Sequence, residues 1–243
     1  MIRTGALLAA GALILLSAPA AYAQPRRPLS ANPSAVVKAQ LALARLAREK
    51  GQWTALRETA DKDAVLFAPD AVNAPAWLRK RADPRQPVDW QPRRIFTACD
   101  GSYAAATGPW AGPDGASGSF ITIWRRQPKG DYKWLLTLDG GTPLPAQDDP
   151  VIEGHVAQCA PRDRAAGPER SGKRPDKAAV TRIAIPPPPG GEGQSDDGSL
   201  RWRWSSGAGA GGSALAVTMR QQGVQTPILQ ESAVPGESAV TTP

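Results

Sequence analysis

The sequence predicts an α+β fold: a curved antiparallel sheet with three N-terminal helices, followed by a small antiparallel β extension carrying disordered loops. Three observations carry this expectation. A helical apolar stripe, Val36, Val37, Leu41, Leu43, Ala44 and Ala47, opens the folded part. Reversals built from glycine with aspartate or proline then recur between apolar runs up to residue 139. Far downstream, Leu200–Ser205 alternates strictly, with Trp202 and Trp204 on one face and Arg201 and Arg203 on the other.

Ser34 is the expected N-cap of the first helix, and Gly51 ends it after Lys50. A second short helix is expected from Trp53 to Ala60. Asp61, Lys62 and Asp63 read as a turn, and Ala64 to Ala68 as a strand closed by Pro69. The third helix runs from Ala74 to Arg81 with Asn73 as its cap. Strands follow at 94–98, 103–110, 118–126 and 131–139. The last two flank Gln127-Pro-Lys-Gly-Asp131, where proline presets φ and glycine supplies a positive one. In the first of this pair Phe120, Thr122 and Trp124 share a face. In the second, simple alternation puts Tyr132, Trp134, Leu136 and Leu138 on one face and Lys133, Leu135, Thr137 and Asp139 on the other. Both faces are largely apolar, as in a sheet covered on both sides.

The remainder reads as strands at 151–159, 179–185, 200–205, 213–221 and 226–231, with disordered Pro/Gly loops at 160–178 and 186–198 and a frayed tail at 232–243. The expected organisation is thus a signal peptide over 1–23, a linker over 24–33, a main domain over 34–145 and a β extension over 146–231.

The 243-residue chain has a formal charge of +7. Apart from the two arginines of Leu200–Ser205, no expected helix or strand concentrates Lys/Arg with interleaved aromatics, so nucleic acid is not an expected partner. Arg3, the apolar run Ala6 to Leu16 and Ala21-Tyr22-Ala23 make a secretory leader cleaved between Ala23 and Gln24. No later run is long enough to span a membrane. A periplasmic or secreted bacterial protein is expected. An oxidising compartment permits a disulfide between Cys99 and Cys159, the only two cysteines; two separate buried thiols are the alternative. With a single histidine, His155, no metal-ligand spacing exists, and no cofactor fingerprint is present.

The order of elements resembles the nuclear transport factor two-like superfamily, the cone-shaped fold shared with ketosteroid isomerase and polyketide cyclases. The phrases that carry the likeness are EKGQWTALR (49–57), DAVLFAP (63–69), CDGS (99–102), TGPW (107–110) and DYKW (131–134). The resemblance implies a cavity at the open end of a cone, lined by candidates Trp53, Phe67, Trp77, Trp110, Trp124 and Asp139, and a homodimer through the outer sheet face. For each lining residue plain core packing is the competing reading. Asp139 is the single catalytic candidate, without an evident partner for acid/base work. Three functions are therefore carried forward. The first is an exported, non-catalytic module binding a small apolar ligand or an envelope protein. The second is an isomerase, dehydratase or cyclase using Asp139. The third is a structural envelope protein.

Overall fold

The computed structural model describes residues 30–68, 70–145, 151–160, 189–207 and 212–233. The expected leader with Ala23 and Gln24, residues 161–188 with their expected strand, and residues 234–243 lie outside them.

Helix α1 (Pro33–Lys50) is capped by Asn32, two residues before the expected cap Ser34. The Asn32 side chain accepts from the Ala35 N–H, and Pro33 takes the first turn, where its missing N–H costs nothing. Gly51 closes the helix at φ 103, and its N–H bonds Ala47 O. Helix α2 (Gln52–Thr59) follows, then strand β1 (Ala60–Phe67), β2 (Ala71–Asn73) and the five-residue α3 (Ala74–Leu78), capped by Asn73. Strands β3 (Asp89–Trp90), β4 (Arg94–Thr97), β5 (Tyr103–Ala111), β6 (Ser117–Arg126), β7 (Tyr132–Gly140) and β8 (Glu153–Val156) complete an eight-stranded sheet. Its order is β2-β1-β7-β6-β5-β4-β8, with β3 on β5. A second sheet has the order β12-β11-β10-β9, from β9 (Gly190–Gln194), β10 (Leu200–Ser205), β11 (Ser213–Gln221) and β12 (Val224–Ala233).

This architecture corrects the expected fold class. Among the described residues the protein is mostly β, twelve strands in two sheets with three helices. Only α1 and α2 are N-terminal; α3 comes after two strands. The large sheet is mixed, since β1 runs parallel to β7 and β4 parallel to β8. The C-terminal sheet is not a small extension. It packs against one face of the large sheet, and the two share a core of Val65, Phe67, Ile121, Ile123, Leu136 and Leu138 against Trp202, Trp204, Leu215 and Val217. The helices cover the other face, over Phe120, Trp124, Trp134, Trp90 and Trp110. A sheet apolar on both faces needs two covers, and the second is made of strands.

Two local expectations fail for tertiary reasons. Asp61 and Asp63 lie in β1, not in a turn, because Arg125 of β6 binds both carboxylates. Residues 190–194, expected within a disordered stretch, form β9. A Cβ on Gly191 would stand 2.8 Å from Trp204 Nε1, and one on Gly193 2.3 Å from Trp202 Cζ2. The glycines leave room for the indoles of β10 to lie over the strand, and the aromatics supply the packing that glycine lacks.

Cys99 and Cys159 form a disulfide with a Cα–Cα distance of 5.2 Å, joining the chain after β4 to the chain after β8. No helix among the described residues is long and apolar enough to cross a membrane.

Candidate functional site

A β-bulge builds the site. In the β6–β7 pair Trp124 lies opposite Trp134, but Ile123 lies opposite Leu136, so Leu135 is an extra residue. The insertion reverses the alternation beyond it. Trp134 stays on the helix side, whereas Leu136 and Leu138 turn to the second sheet. Asp139 therefore comes to the helix side, opposite Phe120, two residues beyond Thr137, which bonds Thr122 at 2.9 Å.

Around Asp139 the side chains are aromatic. Trp90 of β3 pairs in register with Trp110 of β5, and the Trp110 indole N–H donates to Gly140 O at 2.9 Å. Strand β3 is short but held: Gln91 N–H bonds Pro109 O, Arg93 N–H bonds Thr107 O, and Val88 N–H bonds the buried Gln52 side chain. Close approach here depends on glycine, since a Cβ on Gly118 would stand 1.9 Å from Gly140 O.

Asp139 is only 2 % exposed, and among the described residues its Oδ1 has no hydrogen-bond partner. Burial raises its pKa to about 7; the Trp90 indole favours the charged form, and the Glu231 carboxyl opposes it. Glu231 reaches in from β12 on the opposite face of the large sheet, where Ser119 Oγ and Ser232 N–H donate to it. Its own pKa is also raised, first by burial. A Cβ on Gly140 would meet its carboxylate, so the absence of a side chain at that position lets the second acid approach the strand that carries the first.

The other sequence candidates are not gathered at one point. Trp110 lies in the aromatic surround of Asp139. Trp124 is fully buried, and its indole donates to Gln40 Oε1 of α1 at 3.1 Å. Trp53 meets Trp77 edge to face, with centroids 5.3 Å apart, at the α2–α3 contact. Phe67 belongs to the other face, packed edge-on against Trp204 between the sheets. His155 stacks on Phe96 at 4.8 Å and bonds Glu153. Among the described residues no group of three or more His, Cys, Asp or Glu is placed to hold a metal.

Sequence reading missed Trp90, Glu231 and Gln40. Gln40 had a signal: it sits in the buried row Val36, Gln40, Leu43, Ala47 of α1, where a polar side chain must find a partner. Trp90 sits in a proline-rich stretch with no periodicity, and Glu231 is distant in sequence from everything it touches.

A lone buried acid with an open acceptor can do two things. Protonated, it donates a strong hydrogen bond; near its midpoint it can exchange a proton with a bound molecule.

No known protein family and no curated protein matches this chain. Among solved structures it is similar to a proposed aromatic ring hydroxylase from Novosphingobium aromaticivorans, at 16% identity and a TM-score of 0.32, over 44% of this chain and 86% of that one.

Proposed function

We propose that this protein is an exported binding protein for a small apolar molecule bearing one hydrogen-bond acceptor, such as a ketone or ether oxygen, with Asp139 as its polar contact. The observation that carries the reading is the buried Asp139 carboxyl with an unpartnered Oδ1 among Trp90, Trp110 and Phe120. Aromatic walls with one convergent polar group are what small-ligand sites use, and a carboxyl kept neutral by its apolar surroundings donates rather than accepts. Export is supported by the apolar run Ala6 to Leu16 and by the Cys99–Cys159 bond. Remote kinship with the nuclear transport factor two-like superfamily is supported by the helix pair, the strand and the later meander β4 to β7 in that order.

A second reading has its own observation. A carboxyl with a midpoint near neutrality suits proton transfer to or from a bound carbonyl compound.

Native mass spectrometry of protein exported by its own leader and purified without reductant tests the binding reading. The expected result is a small-molecule adduct that Asp139→Leu no longer retains. A bare wild-type mass, together with no thermal shift from a panel of aromatic and alicyclic ketones, overturns it. Turnover of a panel member, lost in Asp139→Asn, moves the assignment to the second reading.

A further inference from the structure

We propose that the loop of residues 79–85 is a contact for the phosphate headgroups of an anionic lipid bilayer. The proposal is independent of the Asp139 site. The loop reads Arg-Lys-Arg-Ala-Asp-Pro-Arg, and Arg79, Lys80, Arg81 and Arg85 are all exposed. Arg79, Lys80 and Arg85 have no ion-pair partner among the described residues. The one acid of the loop is committed elsewhere: Asp83 accepts from Thr54 N–H at 2.9 Å and from Thr54 Oγ at 2.6 Å. Glu58 of α2 is engaged by Lys50.

The loop backbone is held from beneath. The Arg57 guanidinium donates to Leu78 O at 2.9 and 3.2 Å and to Arg81 O at 3.2 Å. Arg81 lies over the Trp77 ring, 3.5 Å from its centroid, and Trp77 also meets Trp53 edge to face. The loop that carries the exposed cations is therefore anchored to α2 through its backbone.

The chemistry favours a surface over a strand of nucleic acid. Single-stranded nucleic acid needs open aromatic faces for stacking. The aromatic ring beneath this loop, Trp77, is already covered by Arg81 and abutted by Trp53. A short run of exposed point and fork charges suits closely spaced headgroups, which attract each nearby Lys or Arg.

The test uses the full chain and co-sedimentation with phosphatidylcholine vesicles containing about one third phosphatidylglycerol, in low salt. Wild-type protein is expected to bind these and not pure phosphatidylcholine. The triple variant Arg79→Gln, Lys80→Gln, Arg85→Gln should bind about a hundredfold more weakly, at roughly fivefold per cation. The charge-matched control Lys38→Gln, Lys129→Gln, Arg201→Gln removes three exposed cations elsewhere and should bind as wild type. Absence of binding to the anionic vesicles, equal binding to the neutral ones, or equal losses in the two triple variants would each overturn the proposal. So would selective binding of single-stranded DNA that the loop variant loses while vesicle binding is unchanged.

Discussion

Replacing Asp139 by asparagine keeps the shape of the side chain and removes its charge, so the variant isolates the cost of ionising a buried acid. In the unfolded chain this carboxyl titrates near 3.8, and in the folded protein at about 7. Below 3.8 it is protonated in both states and contributes nothing to the pH dependence. As pH rises from 3.8 to 7, the unfolded chain releases the proton while the folded protein keeps it, so wild-type stability falls. The loss grows by about 1.4 kcal/mol per pH unit and reaches about 4 kcal/mol above pH 7. The amide of the variant does not titrate and carries no such penalty. Glu231 is present in both proteins, so its direct contribution largely cancels from the difference. Urea unfolding without reductant at pH 4, 5.5 and 8 should therefore show the variant gaining on wild type as pH rises, by about 4 kcal/mol across the range. A difference that is the same at all three pH values refutes the reasoning, because it would mean that Asp139 is ionised in the folded protein at ordinary pH.

Other perturbations follow from the same contacts. Arg125→Met leaves Asp61, 1 % exposed, as a buried and unpaired carboxylate, and should cost about 3–5 kcal/mol in urea unfolding. Trp204→Ala removes an indole that packs on Phe67 and over Gly191; it should cost about 3–5 kcal/mol and lower one cooperative transition, since both sheets share the core, whereas two separate transitions would contradict that. Replacing both Cys99 and Cys159 by serine opens a link across 60 residues and should lose about 4 kcal/mol on chain-entropy grounds, read as a lower urea midpoint.

The strands and helices were largely legible because their signals are local. The alternation of Leu200–Ser205 has its burial pattern, the Gly130 turn has φ 97, and Gly51 and Asn73 do the capping work expected of them. What escaped was whatever depends on a distant partner. Nothing near 190–194 in sequence announces a strand, because the indoles that make its glycines useful come from β10. Asp61 and Asp63 have turn chemistry but lie in β1, where Arg125, distant in sequence, binds both carboxylates. The bulge at Leu135 is the costliest omission. The run Trp134-Leu135-Leu136 offers apolar residues to either phase, so periodicity gives no notice of the slip that carries Asp139 from one face to the other. Asp139 was singled out from sequence, but its setting with Trp90 and Glu231 belongs to the tertiary structure.

The central claim is that Asp139 is a buried acid that titrates near neutrality on the helix face of the large sheet. Titrating its side-chain carboxyl by carbon NMR, assigned through the loss of its signal in Asp139→Asn, tests that claim most directly. The account predicts a midpoint at about 7. A midpoint in the ordinary carboxylate range, near 3.8, would contradict it and would reduce the aromatic surround of Asp139 to plain core.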